Sequence, residues 1–303
     1  MILPIKEKNN FLDLDQAFSS YDNSSIAIIP AGFEYSVSWG KNTSYGPDDI
    51  IKSSAYVEFF DEELQKELCF DKGIVTLENM NFHDKNPLQA LDLIKRYTEK
   101  CLDDGKYVVT LGGEHTIAIA PIAAHYHKYP DMSILQFDAH SDLRQSYQDS
   151  EYSHASAMAR VCDFFPPERI TQVGIRALCK EEYDLINKYN IKTFYASSIR
   201  NGLYGDQWQK AVTDTLSNNI YITFDVDFFD PSIIPATGTP EPNGFLYHET
   251  LNVFREISKA NKNIIGFDIV EYAPIDNLHH AGLTIARLIY KILNFAFYKY
   301  LLF

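Results

Sequence analysis

Apolar, β-branched runs alternate along the chain with longer segments whose hydrophobic residues return at helical spacing. The runs at 26–30, 73–77, 107–111, 133–137, 170–175, 193–195, 220–224 and 263–267 are short and continuous, as in strands covered on both faces. Between them the spacing predicts helices over 47–59, 87–103, 116–128, 156–164, 181–188, 206–216, 249–260 and 278–298. Asn86 before Pro87 has the chemistry of a helix cap followed by a first-turn proline. Strand-then-helix alternation of this kind predicts an α/β fold: a three-layer αβα sandwich around a mostly parallel central sheet of about eight strands. No fixed-period repeat, low-complexity tract or Pro/Gly/Ser-rich linker interrupts it, so residues 1–303 are expected to form one domain. Two stretches break the alternation, 31–46 (AGFEYSVSWGKNTSYG) and 230–247 (DPSIIPATGTPEPNGFLY). Both are rich in turn residues, and loops of this length at a sheet edge are usually functional or disordered.

Composition narrows the class. Hydrophobic residues at 46% and charged residues at 22% suit a soluble globular protein with a sizeable core. A formal net charge of -14 argues against a nucleic-acid-binding face and is compatible with solubility or with attraction of a cationic substrate. Cys69, Cys101, Cys162 and Cys179 are widely spaced, which predicts reduced thiols rather than a disulfide framework or zinc ribbon. The opening MILPIKEKNNFLDL lacks the apolar stretch of a signal peptide. The apolar segment 288–303 is interrupted by Lys291, Asn294 and Lys299, and is expected to pack on the core or on another subunit rather than span a membrane. A cytoplasmic location is expected.

Five short polar segments follow apolar runs: GGEHT (112–116), FDAHSD (137–142), YSHAS (152–156), FDVDFFDP (224–231) and GFDIVE (266–271). Open α/β sheets bind ligands at the carboxyl ends of their strands, so this placement marks a site. In Asp138-Ala139-His140-Ser141-Asp142 the polar residues stand two apart, which directs them to one side of an extended backbone. Burying three such groups without a cation would be costly; the bland alternative is a hydrated turn. Asp225 and Asp227 repeat the pattern, and two carboxylates this close need a cation or a shared proton. His115 follows Gly112-Gly113, read here as a sharp turn that carries the imidazole to the sheet edge, although a lone histidine at a helix start is often structural. His83, His125, His127, His248, His279 and His280 have no acidic partners in pattern and are read as surface or packing residues. Four aspartates with two histidines suit manganese or magnesium better than structural zinc.

Taken together and in order, GGEHT, FDAHSD, FDVDFFDP with PATGTPEP, and GFDIVE resemble the ureohydrolase (arginase/agmatinase) family, from about Ala31 to the C-terminus. The resemblance implies two manganese ions per chain held by His115, Asp138, His140, Asp142, Asp225 and Asp227, with Asp138 and Asp227 bridging. It implies a metal-bridging hydroxide that attacks a guanidinium carbon and releases urea, Glu271 holding the guanidinium, and His154 moving a proton to the leaving amine. Read alone, Glu271 fits a helix-start carboxylate equally well, and His154 a loop hydrogen-bonder. A homo-oligomer, trimer or hexamer, is also implied. The segment from Asp142-Leu143-Arg144 to Tyr152-Ser153-His154-Ala155-Ser156, with Thr239-Pro240-Glu241-Pro242, looks like the agmatinase branch, whose substrate is agmatine. It departs from that branch at Ala155-Ser156 and at Asn243 before a single Gly244. Arg144 would suit a carboxylate-bearing tail such as guanidinobutyrate. The alternatives are therefore a guanidinobutyrase, an arginase, or a non-catalytic homologue.

Overall fold

Eight strands form where the apolar runs predict them, in a computed structural model that describes residues 9–299. Residues 1–8, which hold most of the N-terminal segment read for a leader, and residues 300–303 of the terminal segment lie outside the described residues. The strands are β1 (Ile26–Ala31), β2 (Ile74–Thr76), β3 (Tyr107–Gly112), β4 (Ser133–Phe137), β5 (Ile170–Val173), β6 (Lys192–Phe194), β7 (Asn219–Asp225) and β8 (Asn263–Val270). They make one sheet in the order β2-β1-β3-β8-β7-β4-β5-β6, and every pairing is parallel rather than most of them. All residues of β1, β2, β4 and β5 are buried, which explains why these runs read as continuous rather than alternating.

The helices are α1 (Gln16–Ser19), α2 (Gly46–Ser54), α3 (Leu68–Lys72), α4 (Pro87–Asp103), α5 (Ile119–Lys128), α6 (Ala157–Cys162), α7 (Lys180–Tyr189), α8 (Ala196–Arg200), α9 (Trp208–Asp214), α10 (Tyr247–Lys259) and α11 (His279–Phe297). Three of them, α1, α3 and α8, escape the hydrophobic pattern because four or five residues are too few to show a period. Helix α4 starts as its sequence requires: Asn86 Oδ1 accepts the Gln89 N–H at 3.0 Å, and Gln89 Oε1 accepts the Asn86 N–H at 3.1 Å. Helix α2 stops at Ser54 instead of reaching residue 59. Ser54 Oγ donates back to the Ile51 carbonyl at 2.6 Å and accepts the Leu12 N–H at 2.7 Å, and the chain leaves in tight turns.

The pleat divides the core between two faces. Ile26, Ile28, Leu135, Phe137 and Phe224 pack with Ile50 and Ile51 of α2, Phe254 of α10 and Ile285 and Ile289 of α11. Ala27, Ile29 and Val108 face Leu102 of α4 and Ala124 of α5, and Ile134 and Tyr221 face Ile94 and Ile122. The result is the three-layer αβα sandwich. Helix α11 lies on α2 and α10, and its polar interruptions are absorbed inside: Lys291 is 4% exposed and reaches Asp61 at 3.0 Å and Glu63 at 3.3 Å, while Asn294 donates to the Tyr290 carbonyl at 2.9 Å. No helix among the described residues is long and apolar enough to cross a membrane.

The strand order brings the carboxyl ends of β3, β8, β7 and β4 side by side at the centre of the sheet. Beyond β3 the glycine pair does something other than make a sharp left-handed turn, since neither glycine has a positive φ. Gly113 admits the long loop after β1: a Cβ there would lie 2.2 Å from the Phe33 carbonyl oxygen. Gly113→Ala is therefore expected to destabilise the fold by about 1–3 kcal/mol through overpacking. A urea unfolding curve with an unchanged midpoint would contradict this.

Candidate metal centre

Each strand end delivers its polar residues by a different local device. The path of β4 continues past Phe137 far enough for His140 to bridge Ala177 in parallel register, so Asp138 and His140 share one side as the spacing predicts. Asp142 arrives through a left-handed turn, with φ at 54°. Glu271, just past β8, is likewise left-handed at 64°. Such conformations cost about 1–3 kcal/mol each for ordinary residues and gather where function requires them. Ser141 points away, donating to Glu182 Oε1 at 2.8 Å.

Six residues converge. His115 Nδ1 lies 2.9 Å from Asp142 Oδ2, 3.2 Å from Asp138 Oδ2 and 3.5 Å from Asp225 Oδ2. His140 Nδ1 lies 2.8 Å from Asp227 Oδ2 and 3.8 Å from Asp138 Oδ1. Two groups of metal-ligand geometry result, His115–Asp138–Asp142 and Asp138–His140–Asp227, each with ligand atoms within 4.8 Å of one another. Asp138 belongs to both, one oxygen facing each histidine. Asp227 does not take the bridging position expected of it. It stays on the His140 side, where its Oδ1 accepts the Ala139 N–H at 3.0 Å. Asp225 stands between the groups, with Oδ1 accepting the Asp227 N–H at 2.8 Å and Oδ2 towards His115.

These residues fit a cation. Thr223 Oγ1 donates to Asp268 Oδ1 at 2.8 Å, so at 2.9 Å it accepts the proton of His115 Nε2, which makes Nδ1 the ring nitrogen available to a cation. That buried Nδ1 makes no aligned hydrogen bond despite three carboxylate oxygens within 3.5 Å. It points between them, as a ligand set does. The charges agree. Burial, with the neighbouring Asp142 and Asp227, pushes the Asp138 carboxyl up to about 7. Burial and Asp227 push Asp225 far up as well. Burial works against a charged His140, but Asp227 outweighs it and raises the imidazole to about 10. Asp227 itself is lowered to about 2, His140 overcoming the burial penalty.

A cavity of about 330 Å³ opens over these residues, lined among others by His154, Glu271, Arg144, Tyr147, Thr239 and Glu241. Glu271 Oε1 accepts the His115 N–H at 2.6 Å. His154 stands across the cavity, with Nδ1 3.0 Å from Ser36 Oγ and Nε2 2.8 Å from Ser38 Oγ; burial lowers its pKa. Both irregular loops take part and touch each other, Gly40 N–H donating to the Gly238 carbonyl at 3.0 Å. Several residues here were invisible as singles in the sequence. Arg176 donates to the carbonyls of Asp227 at 2.7 Å, Glu241 at 2.8 Å and Pro242 at 3.0 Å, stapling the β7 end to the second loop. Asp268 sits inside the GFDIVE motif, and Ser36 and Ser38 inside the first loop, which were the only signals available for them. His125, read as surface or packing, is buried, with its ring 4.7 Å from that of Tyr221.

The arginase family profile matches residues 24–294. The chain is 33% identical over 288 residues to the N(1)-aminopropylagmatine ureohydrolase of Synechocystis sp., covering 92% of each chain. It is 33% identical to an agmatinase of Bacillus anthracis, covering 84% of this chain and 86% of that one. The crystal structure of an agmatine ureohydrolase from Thermoplasma volcanium superposes with a TM-score of 0.84 at 26% identity, over 96% of this chain and 95% of the other.

The raised groups set a pH test. A folded-state pKa above the unfolded value, as at Asp138 and His140, gives stability that is present at low pH and lost as pH rises through the folded pKa. Chelator-stripped protein is expected to melt progressively lower between about pH 6 and about pH 9, and added manganese should remove that slope by balancing the carboxylates. Differential scanning calorimetry checks it; a melting temperature that rises with pH in stripped protein would contradict the charge balance.

Proposed function

The chain belongs to the arginase family, an enzyme family of ureohydrolases, and we propose that this member hydrolyses agmatine to putrescine and urea with two manganese ions. The observation that carries this reading is Asp138, shared between two ligand groups whose His140, Asp142 and Asp227 line the same cavity as Glu271. His115, Asp142, Asp138 and Asp225 would hold one ion, and His140, Asp227, Asp138 and Asp225 the other. Divalent ions supply charge that lowers the pKa of a bound water, giving a nucleophile at neutral pH.

The chain's own residues then have distinct tasks. Glu271 is anchored through Oε1 to the His115 N–H, which leaves Oε2 to face a planar cation. Charge-assisted hydrogen bonds from a guanidinium would fix its carbon over the cavity floor. When the carbon–nitrogen bond breaks, the departing amine needs a proton, and His154 Nε2 faces the cavity to deliver one. An imidazole near neutrality can give a proton and recover it from solvent.

The substrate tail is read from the cavity wall. Glu241 places a carboxylate there, which favours an amine over a carboxylate at the far end. Arg144 is turned to existing partners, its guanidinium 5.6 Å over the Tyr147 ring and Nε 3.8 Å from Glu182. That weakens the case for guanidinobutyrate. The Synechocystis relative's name adds N(1)-aminopropylagmatine, a longer cationic tail, as the second substrate to assay. We also take residues 1–303 as one ureohydrolase domain acting in the cytoplasm, a location supported by four unpaired cysteines.

Urea release from agmatine, N(1)-aminopropylagmatine, guanidinobutyrate and arginine by manganese-loaded protein tests the reading, with agmatine expected to give the highest kcat/KM. No release from agmatine would sink the substrate assignment. Asp138→Asn is expected to lose metal and activity together. His154→Ala should keep its metal and lose about 10²-fold or more in kcat.

A further inference from the structure

The loop after β1 holds the cavity-facing histidine through a chain of hydrogen bonds. Ser36 Oγ lies 3.0 Å from His154 Nδ1, accepts the His154 backbone N–H at 3.0 Å, and meets Glu114 Oε2 at 3.1 Å. That same Oε2 accepts the backbone N–H groups of Tyr35 at 2.9 Å and Ser36 at 2.5 Å. Two N–H donors aimed at this oxygen mark it as an acceptor, and the Ser36 hydroxyl joins them as a third, longer donor. The other oxygen takes the Thr116 hydroxyl at 2.8 Å. The Ser36–Glu114 contact therefore uses the serine's proton. A hydroxyl has only one. Towards His154, Ser36 can then only accept.

We propose that Ser36, held in place by Glu114, is a positioning residue that fixes His154 as its Nδ1–H tautomer, with the Nε2 lone pair turned to the cavity. The reverse tautomer would set an imidazole lone pair against a hydroxyl lone pair in a half-buried site, leaving two acceptors without a donor. Fixing the tautomer separates the two ring nitrogens by task. Nε2 takes a proton from solvent and gives it to the departing nitrogen, while the other proton stays on Nδ1, hydrogen-bonded to Ser36, throughout. The ring returns to the same neutral form after each turnover, with no flip and no second proton to relocate. This catalytic part rests on the ureohydrolase reading; the tautomer itself does not. The two serines of the loop differ: buried Ser36 supports the ring from behind with its proton committed to Glu114, whereas exposed Ser38 lies 2.8 Å from Nε2 and 3.2 Å from the Tyr147 hydroxyl. In the Nδ1–H form the free Ser38 hydroxyl turns its proton to Nε2 while the Tyr147 hydroxyl donates to it.

The test is a two-bond proton–nitrogen correlation spectrum of magnesium-loaded, full-length protein labelled with nitrogen-15 at histidine. The His154 signals are assigned by their loss in His154→Ala. An Nδ1–H pattern is expected in the wild type and in Ser36→Thr, and an Nε2–H or mixed pattern in Ser36→Ala. With manganese and the best substrate, Ser36→Ala should lower kcat about 10²-fold, near the lower end of what a placed proton donor contributes, with KM and metal content little changed. Ser36→Thr should recover most of that loss. An Nε2–H tautomer in the wild type, or full kcat in Ser36→Ala, would overturn the proposal. If no guanidino substrate yields urea, the proposed reaction fails while the wild-type spectrum still decides the tautomer.

Discussion

Negative charge concentrated under a cavity is the constraint on which the rest of this structure depends. Asp138, Asp142, Asp225 and Asp227 are all buried within reach of His115 and His140, and Glu271 closes the set from β8. Carboxylates packed this way hold together only if protons or cations balance them. The raised Asp138 and the raised His140 describe that demand in proton terms. Divalent cations would meet it with better geometry, because ligand atoms from three strand ends already surround common points.

Much of the surrounding structure serves to keep those groups where repulsion would otherwise part them. Arg176 ties the β7 end to the loop carrying Glu241 through backbone carbonyls, so a half-buried guanidinium stabilises the shape of the strand ends. Thr223 and Asp268 fix the orientation of His115 from behind, and Tyr221 donates to the same Asp268 at 2.8 Å. Left-handed backbone at Asp142 and Glu271 is the local cost of aiming two carboxylates inward from irregular chain ends. Gly113 lets the Phe33 backbone pass closely enough for Ser36 and Ser38 to reach the far wall.

Different parts of the site differ in how far they can be read from sequence, for a physical reason. Asp138, His140, Asp225 and Asp227 stand out because each lies within two or three residues of an apolar run whose burial is itself legible. Ser36, Glu114 and Arg176 do not. Ser36 meets Glu114 across 78 positions, and Arg176 meets Glu241 across 65. Hydrogen bonds over such separations leave no periodic trace, and their members look like ordinary polar residues between turns. The same blindness explains the bridging assignment: Asp225 and Asp227 are equivalent as a D-x-D pair, and only their orientation in space puts Asp225 between the ligand groups and Asp227 to one side.

The chain alone determined its strands, its long helices and the identity of the polar residues at the strand ends, because hydrophobic continuity, helical period and capping chemistry act over a few residues. It also carried the family resemblance through four ordered motifs. The tertiary structure decided which strand ends meet. By inserting β8 and β7 between β3 and β4, the crossover connections set the His115, Asp138 and Glu271 segments around one cavity although up to 156 residues separate them. It also decided direction: which carboxylate is shared, and which nitrogen of His154 faces the cavity. Those are matters of angle and donor count, which arise only when distant segments of backbone have been brought into contact.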